Sequence, residues 1–458
     1  MAEHHVTVES TLELLLEEKK YATLRDILVT MNPADIAGVF DGLEESALPL
    51  LFRLLPKELA AETFVEMEPD AQELLIQGFS DSELREVLNE LYVDDAVDIV
   101  EEMPANVVRR ILRQADPQMR KEINEILRYP ENSAGSIMTT EYVSLLPDMT
   151  VDEAILRIRR TGVDKETIYT CYVLDKNRTL IGLVTVKDLL LSHNEDNTIA
   201  ELMEDNPISV NTHADQEEVA QALSKYNFLA LPVTDTENRM VGIVTFDDAM
   251  DVMEDEATED MEIMGGMTPS DKTYLRSGVF DLFVHRIPWL LLLMVSATFT
   301  GMIITGFENK LSRLVVLTAF IPMLMDTGGN SGSQSSVTII RALSLGELEF
   351  SDLPRVIWKE IRTAVICGLT LSTACFGKIM LVDRLLMHNE SVSVMVALVV
   401  CITMALTVLV AKIVGCSLPM IAKKLGFDPA VMASPFITTI VDALSLLVYF
   451  GITNTLLL

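Results

Sequence analysis

The spacing of apolar and polar positions changes character along this chain. From residue 10 to residue 128, apolar side chains recur at helical spacing in runs of about a dozen residues. Pro33, Pro49, Pro56, Pro69, Pro104 and Pro117 punctuate those runs. Proline fits the first turn of a helix and breaks its interior. Residues 1–130 are therefore predicted to form short helices, stacked as pairs or as a small superhelix. Residues 131–254 alternate between strand-like runs and amphipathic helices. Beyond Arg286 that alternation gives way to five apolar stretches, about 289–305, 314–340, 365–381, 392–414 and 431–456. Each is near or above the ~20 residues a helix needs to cross a bilayer. The predicted fold class is multidomain: an all-α superhelical N-terminal domain, an α/β pair, and an α-helical membrane domain of five spans over 286–458.

The α/β region holds an internal repeat, with units at 137–192 and 202–254. Ile181-Gly182-Leu183-Val184-Thr185-Val186-Lys187-Asp188 returns as Val241-Gly242-Ile243-Val244-Thr245-Phe246-Asp247-Asp248. Tyr172-Val173-Leu174-Asp175 likewise matches Leu231-Pro232-Val233-Thr234-Asp235. Each unit reads as strand, turn, strand and helix after an amphipathic helix. The pattern resembles a tandem CBS pair. That resemblance implies an adenine-nucleotide site, with Thr185 and Asp188 on a ribose, Lys187 near a phosphate and Phe228 against an adenine ring. ATP is the candidate ligand; a purely structural pair fits the same residues.

Charge divides the chain at the same place as hydropathy. Of 35 Lys and Arg and 68 Asp and Glu, 12 and 10 lie from Arg286 onward, leaving 23 and 58, a net of −35, in Met1–His285. Such a surface repels phosphate, which excludes nucleic acid as a partner and favours cations. The five cysteines, Cys171, Cys367, Cys375, Cys401 and Cys416, show no metal-type spacing and suit a reducing cytosol. His4 and His5 stand in a polar start with no signal-peptide core. Connections on the N-terminal side of the spans carry Arg276, Arg286, Arg341, Arg355, Lys359, Arg362, Lys423 and Lys424. The opposite ones carry Lys310, Arg313 and Arg384. The positive-inside rule then predicts a multi-pass protein of the plasma or inner membrane, its acidic half cytosolic and Leu458 outside.

Polar groups inside a membrane are costly and functional by default. Asp442 lies about twelve residues into the last stretch, roughly 18 Å at 1.5 Å per residue, which places it near the midplane. A structural acid, protonated or neutralised by Lys378 or Lys412, is the alternative. The second stretch carries Pro322, Asp326 and Thr327-Gly328-Gly329-Asn330-Ser331-Gly332-Ser333-Gln334. Weakened helix with freed carbonyls would suit a water-filled path, and a close-packing seam is the competing reading. Ser434-Pro435 and Thr438-Thr439 precede Asp442 by one to two turns. One carboxylate per protomer of a two-fold dimer presents two charges to a divalent ion. Mg²⁺ keeps most of its water and needs one or two carboxylates plus neutral oxygens. No His or Cys is placed for Zn²⁺ or Cu⁺. An inside-negative potential drives a divalent cation inward by about 4.6 kcal/mol per 100 mV, without a coupling ion.

The run from Phe246 to Gly265 is the most charged. Asp247, Asp251, Asp255 and Glu259 fall at i, i+4 intervals, as do Glu256 and Asp260. Each like-charge pair is unfavourable by about 0.2–0.5 kcal/mol, so four amount to roughly 1–2 kcal/mol. A solvated acidic face explains such a run on an isolated helix. Leading directly into a membrane half, the run calls for compensation, and a hard divalent ion supplies it. Asp94, Asp95 and Asp98 open another helix, with Glu101 and Glu102 a turn on. Bound Mg²⁺ would join these acids to the second repeat and the acidic helix; its loss would let them part.

Together, Pro322 to Gln334 with Arg341, the acidic helix ending in Glu256-Ala257-Thr258-Glu259-Asp260, the CBS pair, and Pro435 to Asp442 resemble the MgtE family of Mg²⁺ transporters over nearly the whole chain. The resemblance implies a homodimeric Mg²⁺ channel embedded in the lipid bilayer, its pore lined by the second and fifth spans. A plug helix at 247–270 would join the CBS pair to the membrane. Asp442 then stands as the pore acid and Asp428 as an acid at the inner mouth, with Asn330 and Ser434 beside the path. Glu62, Asp94, Asp95 and Asp98 stand as regulatory Mg²⁺ ligands of the N-terminal domain. Gly135 and Ser136 contribute backbone. Glu217, Ser224, Asn227, Asp248, Asp251, Glu256, Glu259 and Asp260 complete the CBS and plug-helix set. Ser434 replaces a common Asn, Asp326 a small residue and Asn227 a frequent Asp, which bears on ion hydration at the mouth and on one regulatory site.

Two other classes fit less of the sequence. One is a broader divalent-cation or ion-coupled transporter, which Lys378 and Lys412 would suit if they line a cavity. The other is a CBS-regulated membrane sensor or enzyme. Against an enzyme, the six histidines, His4, His5, His193, His213, His285 and His388, are scattered, and no HExxH, GxSxG or Walker-type loop is present.

Overall fold

The computed structural model describes residues 8–193, 196–270, 274, 277–308, 312, 314–389 and 391–457. His4, His5, Arg276, Lys310, Arg313 and Leu458, used above for location and orientation, lie outside the described residues. The chain divides into two compact units, one up to Met253 and one from Glu254.

In the first unit, ten short helices run from Val8–Glu17 to Pro117–Ile126 among the described residues. The prolines set their boundaries as expected. Pro33, Pro69 and Pro117 occupy the first helical position, Pro49 lies in the first turn, and Pro56 and Pro104 are N-caps. A fixed φ and a missing N–H cost nothing there. Ser80 and Glu83 close a capping box on Asp81–Leu88.

The repeat forms two small sheets. The first is ordered β1 (Tyr142–Leu145), β2 (Thr167–Leu174), β3 (Leu180–Thr185) and β4 (Glu204–Asp205), with β1 parallel to β2 and the other pairs antiparallel. The second has β5 (Val210–Asn211) parallel to β6 (Ala230–Thr234), which pairs antiparallel with β7 (Met240–Thr245). Tyr142, Tyr172, Leu174, Leu180, Ala230, Met240 and Ile243 form a core shared by both repeats. The second repeat also shares a core with the short helices, through Val219, Leu223 and Val244 packed with residues such as Val97 and Ile123. The first repeat keeps its own core around Val143, Ala154, Val173 and Ile199.

The helix Phe246–Met264 straddles the division between the units. The second unit continues with long helices Val279–Gly306, Ile321–Ser344, Leu353–Lys378, Val394–Lys424 and Ser434–Leu456. Four segments, Val279–Gly306, Phe350–Leu386, Val394–Lys424 and Pro429–Leu456, are long and apolar enough to cross a membrane. Ile321–Ser344, the second of the five expected spans, has the length at 24 residues, but its Asp, Asn, Gln, Gly and Ser residues lower its hydropathy. Some of these helices outrun the apolar stretches that predicted them. The third begins at Leu353 instead of 365 and the fourth ends at Lys424 instead of 414, because the backbone ladder continues through polar residues. The last begins at Ser434, after a 3₁₀ turn at Pro429–Met432. Asp442 is therefore eight residues along it, about 12 Å from its start, and in the middle of the apolar segment Pro429–Leu456. Leu317, Leu324, Val396, Val400, Leu446 and Phe450 build the main core of this unit, and Tyr449 donates to Leu317 O at 3.0 Å.

Candidate functional site

Helix Val93–Glu102 has no side-chain cap from Tyr92. Glu141 supplies one from outside: Val93 N donates to its Oε2 at 3.1 Å. Glu141 precedes β1 and Glu166 precedes β2, and Glu166 N donates to Glu141 O at 3.0 Å. The two strand starts and the helix start thus converge. Carboxylate oxygens of Asp94, Glu141 and Glu166 lie within 4.8 Å of one another. Asp94 is only 6% exposed, and Asp94 Oδ1 and Glu166 Oε2 are buried without a hydrogen-bond partner.

Desolvation and mutual repulsion act on the whole group. Burial, then Asp248, Asp95 and Glu166, raise the Asp94 carboxyl far above the usual range. Burial and Asp248 push Asp95 up to about 7. Burial, Asp95, Asp248 and Asp247 push Glu166 up to about 8. Burial outweighs the hydrogen bond from Thr245 and pushes Asp248 up to about 6. Burial also raises Glu141, against an opposing pull from Lys165. Asp98 is raised by burial and Asp248, although its outer edge stays exposed, which tempers the effect. Among the described residues, Asp94, Asp95, Glu141, Glu166 and Asp248 form no ion pair. Converging carboxylate oxygens, some with no donor, form the donor set that a hard divalent cation takes. Burial first and mutual repulsion second disfavour the charged carboxylates, and a bound divalent cation would offset both. Asp94, Asp95, Asp98 and Asp248 were legible in the sequence. Glu141 and Glu166 were not, because only strand pairing brings their positions together.

Other expected regulatory residues stand outside this cluster. Glu62 is exposed on Lys57–Val65. Glu217 sits in the first turn of Gln216–Tyr226 and accepts from Gln221 Nε2 at 3.2 Å. Ser224 is exposed on that helix. Asn227 ends it as a left-handed C-cap at φ 55°, a conformation that Asn tolerates. Gly135 and Ser136 form a packed turn: Gly135 N donates to Thr212 O at 2.9 Å and Ser136 Oγ to Ser133 O at 2.9 Å. A Cβ on Gly135 would fall 2.5 Å from Tyr129 Cγ.

Along Phe246–Met264, Asp247 and Asp248 act on the cluster and Asp251 acts on Asp248. Glu259 is exposed and Glu256 half-buried. Within the second unit, Asp260 Oδ2 accepts from Ser344 Oγ at 3.1 Å. Burial raises the Asp260 carboxyl, opposed by that bond and reinforced by Asp428 and Glu256. Asp428 also caps the 3₁₀ turn, accepting from Ala430 N at 2.7 Å. Ile263 and Met264 pack on Ile340, Ala430 and Ala433. Gly266, at φ 71°, lets the chain turn where a Cβ would lie 3.0 Å from Pro435 Cγ. The end of the acidic helix is thus seated where Ser434–Leu456 begins.

The glycine-rich run does not break its helix. Ile321–Ser344 is continuous, and its glycines form the seam read above as the alternative. A Cβ on Gly328 would lie 2.7 Å from Thr407 Cγ2, and one on Gly415 would lie 2.2 Å from Gly332 O. The expected freed carbonyls are absent because close packing, not unwinding, is what these glycines permit. Asp326, Asn330, Gln334 and Thr338, spaced by four, form an exposed polar stripe on the same helix. Asn330 Nδ2 donates to Asp326 Oδ1 at 3.1 Å. Asp442 is half-buried, and Asp326 repels it electrostatically. Neither lysine neutralises it. Lys378 pairs with Asp383 at 2.9 Å. Lys412 donates to Ser335 Oγ at 3.2 Å and lies 3.6 Å from Glu360, which accepts from Ser335 Oγ at 2.7 Å. Ser434 opens the last helix; its side chain lies outside the description.

Thr185 and Asp188 form a reciprocal capping box on Val186–Leu191, a local role that needs no ligand. Thr245 and Asp248 repeat the hydroxyl-to-carboxylate bond. Lys187 is exposed, and Phe228 stacks on Tyr226 at 5.5 Å.

The second unit is a bundle of membrane-length apolar helices with an acid-bearing polar stripe, and in the first unit buried carboxylates converge without an ion pair among the described residues; these are features of a membrane protein that meets hard cations. Residues 321–452 match the MgtE divalent cation transporter family, 31–132 the MgtE intracellular N domain, and 134–193 and 199–255 CBS domains. Magnesium transporter MgtE of Thermus thermophilus is 36% identical over 98% of both chains. That of Bacillus subtilis is 31% identical over 96% of this chain and 95% of its own. The crystal structure of the cytosolic domain of the Mg²⁺ channel MgtE in complex with ATP is similar at TM-score 0.51 and 36% identity. It covers 54% of this chain and 100% of that one. The chain belongs to the MgtE family of magnesium transporters, which are not enzymes.

Proposed function

We propose that this chain is a Mg²⁺-selective channel-type transporter. It works as a homodimer in the plasma or inner membrane, its acidic half cytosolic and its C-terminus outside. Mg²⁺ enters down its electrochemical gradient, and cytosolic Mg²⁺ closes the path. The working division is an N-terminal helical domain to 130, a CBS pair to 254, a plug helix at 247–270 and a pore domain from 286. The observation that carries the reading is the stripe of Asp326, Asn330 and Gln334, exposed on a helix too polar to face lipid, beside an Asp442 that neither Lys378 nor Lys412 neutralises.

In the pore, Asn330 and Gln334 offer neutral groups to the water shell of the ion, and Asp442 supplies charge without forcing dehydration. Asp428 and Asp260 concentrate cations where the last helix begins. In the gate, Asp94, Asp95, Glu141, Glu166 and Asp248 hold Mg²⁺, and its positive charge offsets their repulsion. Ion loss restores that repulsion, which loosens the helix Val93–Glu102 and frees the acidic helix to move. ATP binding at Thr185, Lys187, Asp188 and Phe228 is supported by the ATP complex of a similar cytosolic domain. An ion-coupled or broader divalent carrier is less well supported, because Lys378 and Lys412 are each held by an acid.

Liposome flux with internal Mg²⁺ varied tests both parts. Asp442→Ala is expected to abolish flux. Neutralising Asp251, Glu256 and Glu259 together is expected to keep flux and remove inhibition by internal Mg²⁺. Undiminished flux through Asp442→Ala sinks the pore assignment, and unchanged inhibition in the triple variant sinks the part of the gate assigned to the acidic helix.

A further inference from the structure

We propose that the first CBS unit carries a second ligand site, for a small phosphate-bearing anion, in a cavity walled by Arg157, Lys165 and Arg178. The first 285 residues hold more than twice as many acids as bases, yet three cations line this one cavity of about 450 Å³. That volume suits a small molecule. Arg157 comes from the helix Val151–Thr161, Lys165 from the segment before β2, and Arg178 from the β2–β3 turn. The turn holds Arg178 at φ 66°. Arg178 Nη2 donates to the Tyr142 hydroxyl at 3.1 Å, and Arg157 Nη2 to Ser144 Oγ at 3.3 Å.

Those bonds use one or two of the five N–H donors on each guanidinium. Among the described residues, none of the three cations is in an ion pair; Lys165 also faces Glu141. Asp175 is the acid on the cavity wall, and its Oδ1 is engaged by Asn177 N and Thr179 N, each at 2.8 Å. Two planar forks and an ammonium suit the oxygens of a phosphate better than a single carboxylate. No lining residue belongs to the Thr185, Lys187, Asp188 and Phe228 set, so this site is distinct from the proposed nucleotide cleft.

The test is calorimetric titration of the full chain in zwitterionic nanodiscs, in Mg²⁺-free buffer, with inorganic phosphate and with ribose 5-phosphate. Saturable binding of at least one probe is expected, weakened about tenfold or more by Arg157→Gln and by Lys165→Gln, as loss of a charge-assisted bond implies. Lys187→Gln is expected to leave it unchanged. Thermal melts identify any variant that fails to fold, in which case the other carries the comparison. No saturable binding of either probe overturns the proposal. So does binding that Arg157→Gln and Lys165→Gln leave intact, or that only Lys187→Gln weakens.

Discussion

Raising the pH from 6 to 8 is expected to tighten Mg²⁺ binding at the carboxylate cluster. Asp95 is pushed up to about 7 by burial and by Asp248. It is about nine-tenths protonated at pH 6 and about one-tenth at pH 8, so an ion that needs the carboxylate must displace a proton at the lower pH. For this group alone the apparent affinity rises about tenfold over that range. Glu166, pushed up to about 8, adds to the effect. The two titrate as a coupled pair, so the combined gain is on the order of a hundredfold or more.

The sign for stability without Mg²⁺ is the opposite. A carboxyl whose folded pKa is raised contributes stability that is present below its unfolded value near 4 and lost as the pH climbs through about 7 to 8. The Mg²⁺-free first unit therefore loosens across that window, and Mg²⁺ restores it. Calorimetry in two buffers of different ionisation heat measures affinity and released protons together. About one proton or more is expected at pH 6, falling toward none above pH 9. Glu166→Gln is expected to flatten the profile. Affinity constant within twofold from pH 6 to 8, with no proton release, would refute the reasoning.

Three further outcomes follow from the packing. Gly415→Ala places a methyl 2.2 Å from Gly332 O, and overpacking of this kind costs about 1–3 kcal/mol, read as a lower melting temperature in detergent. Lys412→Met strands Glu360 beside Ser335 and is expected to destabilise by about 3–5 kcal/mol, with the double variant Lys412→Met/Glu360→Met recovering most of the loss; a double variant as unstable as the single one removes the pairing argument. Glu141→Gln keeps the hydrogen bond to Val93 N but lowers the charge of the cluster, so internal Mg²⁺ is expected to inhibit flux only at about tenfold higher concentration, measured in the liposome assay.

Which parts were legible follows from how local the cause is. The proline-bounded helices were readable because a fixed φ and a missing N–H act within one turn. The repeat was readable because its strands and capping boxes are spelled out twice. Asp94, Asp95, Asp98 and Asp248 were visible as acids, but nothing in spacing says that Glu141 caps the helix of Asp94 or that Glu166 joins it. The assignments for Glu62, Glu217, Ser224 and Asn227 came from resemblance. In the structure, Asn227 has a local reason to be there as a left-handed cap.

The sequence by itself determined the division of the chain. Net charge and hydropathy are sums over residues, so they place an acidic part before an apolar membrane part without any contact being known. It also determined the acidic helix, since i, i+4 spacing is a property of one element. Tertiary structure decided which face of Ile321–Ser344 does what. Its glycines lie on one side because two neighbouring helices press there, which leaves Asp326, Asn330 and Gln334 free on another. It also decided that Lys412 answers Glu360 and not Asp442, because an ammonium reaches only a few ångströms and the fold sets which acid lies within that reach.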